Sequence, residues 1–389
     1  MRQGMIVLPF IDRIVYGQPA AQALCAEADR LGAKRVFLIV SGTMNRTTDE
    51  VEKVRAALGA RHAGTYDRIP SHTPRDAVLE ASAAARAAGT DLVVTFGGGS
   101  VTDAGKMVQL CLKHDIKAMD DFDRFRIRVS ADGTRQAPVY DGPTVRQIAI
   151  PTTLSAGEFH QQVGCTDQRI KVKQSYRHDL LVPRVTIFDP APTVHTPLHV
   201  WLSTGIRAVD HSTEGLCSPL NNPVSDAAYL QSLRLLSRAL PKVKKDPADL
   251  DARLECQLAI WLAMAGRHGG VQMGASHAIG HVLGGTAGVA HGYTSCIMLP
   301  HVLRYNREAN ADRQKLVAEA MGHAGEDAAD VIAALVAALG LPGRLSDVGV
   351  KQDQFAVLAA NTMHDGWLHT NPRKITSPEQ VLTILEAAA

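Results

Sequence analysis

Short apolar runs rich in β-branched residues alternate with alanine-rich stretches over the first half of the chain. Residues 35–40 (RVFLIV), 91–96 (DLVVTF), 146–150 (RQIAI) and 185–188 (VTIF) predict strands, each bounded by Gly, Pro, Ser or Asp. Residues 19–31, 48–58 and 74–88 predict helices between them. Apolar strands alternating with helices make a parallel sheet covered on both faces. After Pro197 the pattern changes to amphipathic helices over residues 198–217, 223–240, 247–268, 313–322, 328–339 and 378–388, with no strand signal. The change puts a domain boundary near residue 190, with an α/β dinucleotide-binding domain over 1–190 and an all-helical catalytic domain over 191–389. The polar stretch 120–142 predicts a surface loop.

A length of 389 residues allows two domains with sizeable cores. The hydrophobic share of 46% and charged share of 21% are those of a soluble globular protein. A formal net charge of +2 gives no reason to expect nucleic acid or an anionic membrane as partner. The N-terminal run is broken by Pro9 and Asp12 and lacks a signal-peptide pattern, and no apolar run is long enough to span a bilayer. The six cysteines form no CxxC pair, so they predict free, mostly buried thiols of a cytoplasmic protein.

Candidate chemistry begins where the second predicted strand ends, at GGGSVTDAGK (Gly97, Gly98, Gly99, Ser100, then Asp103 and Lys106). Glycines after a parallel strand let the backbone approach a phosphate, and the following helix points its first N–H groups at that anion. The spacing is neither a Walker A loop nor GxGxxG. Thr152 and Thr153, in PTTLSAG, follow the next strand with hydroxyls and small residues suited to a nucleotide. Ser41, in Ser41-Gly42-Thr43, follows RVFLIV where a dinucleotide fold often carries an acid for the ribose 2′-OH. The missing acid and the nearby Arg46 weakly favour tolerance of NADPH.

Four histidines gather in the helical half. His211 lies one turn after Arg207 in GIRAVDHSTEG, and His277, His281 and His291 stand in HAIGHVLGGTAGVAH. Arg207 and His211 share one helix face, as do His277 and His281. Three of the histidines plus the residue at 207 look like the frame of a divalent-metal site. A guanidinium has no acceptor lone pair, however, and cannot ligate a cation. Asp210, about 60° around the helix from Arg207, could pair with Arg207 or lie outside the site.

These motifs, with IFDPAPTVHTP, AHGYTSCIMLPHVLRYN and Asn371-Pro372-Arg373, resemble the iron-containing (group III) alcohol dehydrogenase superfamily along nearly the whole chain. The resemblance implies a dehydroquinate synthase-like architecture: an N-terminal dinucleotide-binding domain, a C-terminal helical domain, a catalytic cleft between them, and a homodimer. In metal-dependent members an Asp stands at the position of Arg207, ligating histidines at those of His211, His277 and His291, and a histidine near the nicotinamide at that of His281. The nearest branch resembles maleylacetate reductase, which also lacks the Asp, works without a catalytic metal and implies a place in aromatic compound degradation. The chain departs from that branch at Ser295, in the PTT loop and at Arg207.

The resulting expectation is an NADH- or NADPH-dependent reductase of an oxo-acid, without a catalytic metal. Arg207 would bind a carboxylate or the carbonyl, and His211, His277, His281 or His291 would supply the proton. Lys171 or Lys173 would add positive charge if the hairpin before Val185 folds over the cleft. The alternatives are an Fe- or Zn-dependent alcohol or hydroxy-acid dehydrogenase using His211, His277 and His291, a non-catalytic nucleotide-binding relative, and, more distantly, a lyase of the dehydroquinate synthase type.

Overall fold

The computed structural model describes residues 5–129 and 135–389. Its main sheet has six parallel strands: β1 (Arg13–Tyr16), β2 (Val36–Val40), β3 (His62–Tyr66), β4 (Leu92–Gly97), β7 (Arg146–Pro151) and β10 (Val185–Phe188), in the order β1-β10-β7-β4-β2-β3. Between β4 and β7 lies a two-stranded ribbon, β5 (Arg128–Val129) with β6 (Arg135–Gln136). A hairpin of β8 (Gln162–Asp167) and β9 (Val172–Arg177) precedes β10. Helices α1 (Ala20–Leu31), α2 (Gly42–Thr47), α3 (Glu50–Leu58), α4 (Arg75–Ala87) and α5 (Gly99–His114) connect the strands.

The pleat explains the two cores. Phe37, Ile39 and Val93 point to one face and pack with α4 and α5 residues such as Val78, Ala81, Met107 and Val108. Val36, Leu38, Val40, Val94 and Phe96 point to the other, against Leu24, Ala28, Val51 and Val54 of α1 and α3. Because both faces are covered, β2 is buried at all five positions. Each such side chain contributes about 1.5–3 kcal/mol.

Two strands of the main sheet were not legible as such, and both lie on its edges: β1 beside β10 and β3 beside β2. The stretch 120–142 is not simply a surface loop. It opens with a 3-10 turn over Met119–Arg124, and Phe122 and Phe125 are buried against Tyr176 and the α4–α5 core. Residues 130–134 of that stretch lie outside the described residues. The six cysteines are free, and only Cys25 is not buried.

The C-terminal half holds α6 (Leu198–Cys217), α7 (Pro223–Lys245), α8 (Leu250–His268), α9 (Ala275–Ala287), α10 (His291–Ala320), α11 (Ala328–Ala338), α12 (Phe355–Thr362) and α13 (Pro378–Ala387). Helix α6 is buried over most of its length, while α9, the first part of α10, α12 and α13 share one apolar core. A break at Asn310, whose φ is −148°, divides α10 and starts the stretch whose periodicity marks residues 313–322. Contacts divide the chain into two units, Pro9–Thr196 and Pro197–Ala389 together with the residues through Leu8. No helix among the described residues is long and apolar enough to cross a membrane.

Candidate active site

In the α/β unit the chain reverses its direction of travel across the sheet between β2 and β4. It leaves β2 toward β3, and leaves β4 toward β7. Ligands of open parallel sheets bind outside the carboxyl ends of strands at such a switch point. The residues found there are Ser41, whose N–H donates to the Phe96 carbonyl, and Gly97–Gly99. Ser41 also caps α2 through the Met44 N–H, and Gly98 stands at the N-cap of the 16-residue α5. The Thr152 N–H donates to the Gly97 carbonyl, and Thr153 Oγ1 donates to Ser155 Oγ at 3.2 Å. Ser41, Gly97, Gly98, Gly99, Ser100, Thr152 and Thr153 are thus neighbours at the ends of β2, β4 and β7.

The glycines have a steric role besides any ligand. An added Cβ would lie 3.1 Å from Thr153 Cγ2 at Gly98 and 2.9 Å from Ser155 Oγ at Gly99, so the loops after β4 and β7 meet only because these positions are bare. Ser100 accepts the His72 N–H with its hydroxyl and the Thr73 hydroxyl with its carbonyl. His72 and Thr73 have φ of 67° and 51°, a left-handed pair strained by about 1–3 kcal/mol per residue.

Lys106 does not face a ligand. It is fully buried, and its Nζ donates to the carbonyls of Gly157 at 2.6 Å and Gln162 at 3.2 Å. Asp103 stays partly exposed, 4.0 Å from Lys106 and 3.9 Å from Lys173. The positive charge of Lys173 is therefore held against α5, while Lys171 sits at an exposed turn with φ of 55°. Glu158, just past the PTT loop, is buried with neither oxygen hydrogen-bonded, and burial pushes its carboxyl up to about 7.

In the helical unit, α6, α9, α10 and the turn Gly366–Thr370 converge. Arg207, Asp210, His211 and Glu214 follow one another at helical spacing on α6, and all but Arg207 are buried. Glu214 accepts the N–H groups of Gly274 (2.9 Å), Ser276 (2.7 Å) and His277 (3.4 Å), which lie at the start of α9. A carboxylate at a helix N-terminus meets both the orphan donors and the helix dipole. The same Glu214 lies 2.8 Å from His277 Nδ1, and Asp210 lies 3.5 Å from it. With Glu214 ionised, its accepting carboxylate assigns the ring proton to Nδ1 and leaves Nε2 a bare lone pair. That Nε2 is buried without a hydrogen-bond partner.

Arg207 turns toward α10. Its Nη1 is 3.4 Å from both the His291 carbonyl and Ser295 Oγ. Ser276 donates to Asp210, at 2.8 Å. His211 lies with its ring centroid 4.5 Å from that of His277. His281 donates from Nδ1 to Asp365 at 2.8 Å and lies on Trp367, ring centroids 4.7 Å apart. The Arg267 guanidinium covers Trp367 at 4.9 Å, and His291 opens α10 with its ring centroid 6.5 Å from that of His281.

Burial sets the charges. It holds His211 and His277 neutral, well below the ordinary range, and the Arg207 and Arg267 guanidiniums add to the effect. Burial raises Asp210 to about 6 against the pull of Ser295 and Arg207. Burial and then Asp210 raise Glu214 to about 8 against the three N–H groups. Two carboxyls this close resist ionising together.

Arg207, His211, His277, His281 and His291 are thus brought into one region, but not as a metal frame. Among the described residues, the side chains whose ligand atoms lie within 4.8 Å of one another are Asp210, Glu214 and His277, not the three histidines. Even that trio is a hydrogen-bonded cluster: Nδ1 carries a proton, and Glu214 already accepts three N–H groups. The guanidinium beside it brings a positive charge that counts against a divalent ion, while His277 Nε2 and His211 Nδ1 are buried without hydrogen-bond partners.

Sequence reasoning passed over Glu214, Ser276, Asp365, Trp367 and Arg267. The signal for Glu214 was present: positions 207, 210, 211 and 214 form a polar face on a helix with no other reason to carry one. An acid at the switch point was missed as well. Asp67, just after β3, accepts from Asn45 Nδ2 at 2.8 Å and sits 4.0 Å from Arg46.

The chain belongs to the iron-containing alcohol dehydrogenase family. A family model described as iron-containing alcohol dehydrogenase matches residues 12–190, and one for the C-terminal part of that family matches residues 201–389. It is an NAD(P)-dependent oxidoreductase near the maleylacetate reductase branch. Dehydrogenase FUM7 of Gibberella moniliformis is 34% identical, over 97% of this chain and 96% of its own. Maleylacetate reductase of Burkholderia cepacia is 29% identical, over 97% and 96%. The crystal structure of maleylacetate reductase from Agrobacterium tumefaciens superposes with a TM-score of 0.83 at 27% identity, covering 100% of this chain and 98% of that one.

Proposed function

We propose that this protein reduces the carbonyl of an oxo-acid, in the manner of a maleylacetate reductase, without a catalytic metal. The observation that carries the reading is Arg207: a guanidinium, which cannot ligate a cation, stands beside the histidines with its Nη1 3.4 Å from the His291 carbonyl. Gly97–Gly99, Ser100, Thr152, Thr153 and Ser41, with Asp103 at the margin, would hold the dinucleotide at the glycine loop, and that group would supply the hydride when bound. Arg207 takes a carboxylate of the substrate, which its planar fork matches. His277 Nε2 can only accept, so it orients a hydroxyl or water. His281 is half-exposed and held in place by Asp365 and Trp367, and it delivers the proton to the developing alkoxide. Likeness to maleylacetate reductases supports this substrate class, while FUM7 and a second fungal dehydrogenase of 34% identity leave the particular acid open to assay.

The test is Arg207→Ala, assayed with maleylacetate and with an uncharged ketone, alongside metal analysis and EDTA treatment. The expected outcome is a rise in KM of about 100-fold for the acid, equivalent to about 2.7 kcal/mol, with the uncharged ketone unaffected. Turnover should be insensitive to EDTA. Stoichiometric iron or zinc with chelator-sensitive turnover would instead favour the metal-dependent alcohol dehydrogenase reading.

A further inference from the structure

The switch point between β2 and β4 carries side chains that the reduction itself leaves unused. Ser41 ends β2 beside Gly97, and its hydroxyl stands where an acid would hydrogen-bond a ribose 2′-OH. One turn further, Arg46 folds back over Gly42: an added Cβ there would lie 2.8 Å from Nη1. The Arg46 side chain is 65% exposed, and among the described residues its one ion pair is the long 4.0 Å approach to Asp67. Asp67 does not depend on it, because Asn45 Nδ2 donates to the same carboxylate at 2.8 Å and Asn45 is itself held by Arg55 Nη2 at 2.7 Å. Arg46 can therefore turn outward without stranding an acid.

We propose that Arg46 is the contact for the adenosine 2′-phosphate, and that the protein takes NADPH in preference to NADH. The inference rests on the dinucleotide reading of the glycine loop. A guanidinium suits a terminal phosphate through two parallel N–H bonds, whereas a 2′-hydroxyl offers it only a single weak acceptor. The carboxylate of Asp67 would repel a dianion if bare. Asn45 Nδ2 and, at 4.0 Å, Arg46 Nη1 both face its Oδ2 and offset part of that charge.

The experiment is calorimetric binding of 2′,5′-ADP and of 5′-ADP to the intact protein, for wild type, Arg46→Ala and Asp67→Asn. Wild type should bind 2′,5′-ADP at least about tenfold more tightly, and Arg46→Ala should lose that margin while keeping its affinity for 5′-ADP. Asp67→Asn, which leaves Arg46 without a competitor, should hold or widen the margin. Equal affinities in wild type, or an equal loss of both ligands in Arg46→Ala, would overturn the proposal while leaving the dinucleotide site standing. Failure to bind either nucleotide would overturn both.

Discussion

The two candidate sites of this chain are built from different materials. The loops after β2, β4 and β7 present backbone: glycines, N–H groups at the start of α5, and a few hydroxyls. The helical site is made almost wholly of buried side chains, with Glu214 held to His277, Asp210 to Ser276 and Arg207 to Ser295 through hydrogen bonds. A backbone site tolerates changes of side chain as long as the loops can approach. A buried polar network depends on every member, because a partner removed leaves another group unsatisfied in a dry interior.

Three substitutions probe that contrast. The largest effect is expected from Glu214→Ala, which leaves three N–H groups of α9 and His277 Nδ1 without their acceptor. Chemical denaturation should show a loss of about 3–5 kcal/mol, and the variant should have no measurable reductase activity. A loss below about 1 kcal/mol would mean that water replaces the carboxylate and that the network is less interdependent than its geometry.

Glu158→Gln is next, and it tests whether the α/β unit also stores a side-chain penalty. Because burial raises this carboxyl's pKa from its ordinary 4.5 to about 7 in the folded protein, it keeps a proton that the unfolded chain has lost. Stability therefore falls as pH rises from 4.5 to 7, by about 3 kcal/mol for a shift of that size. The glutamine variant should be more stable than wild type by about that amount near pH 8, and nearly equal to it near pH 4.5, in paired urea titrations. A constant difference across pH would show that Glu158 ionises as freely folded as unfolded.

Gly99→Ala should have the smallest effect. Its Cβ must push Ser155 aside, costing about 1–2 kcal/mol and weakening NADH or NADPH binding about tenfold by fluorescence titration. Unchanged binding would mean that the loops after β4 and β7 have slack, and the contrast between the two sites would soften.

What could be read from the chain follows the same division. The strand–glycine–helix step at Gly97–Gly99 is local, and apolar runs ending in glycine announce it. The central strands β2, β4, β7 and β10 are continuous apolar runs because helices cover both faces. The edge strands gave no such signal: β3 reads HAGTY, with four of its five positions only partly buried, and β1 is exposed at both ends. Helical spacing put Arg207 with His211, and His277 with His281. It could not show that Glu214 would cap a helix 63 residues on, or that Asp365 would reach His281 across 84. Those pairings come from tertiary packing, which one-dimensional periodicity does not encode.

The sheet's first strand is also its most remote in assembly. β1 pairs in parallel register with β10, Arg13 opposite Val185, and Asp12 is bridged by Arg184 at a separation of 172 residues. On a ribosome adding about 5–20 residues per second, the start of the chain waits roughly 10–30 seconds before its partner strand emerges. Until then β7 is the open margin of the nascent sheet, and Ile14 and Val15 have no strand to pair beside. A translational pause before Val185 would lengthen the period in which the growing chain needs a chaperone's shelter, and codon usage there bears on yield more than codon usage after it.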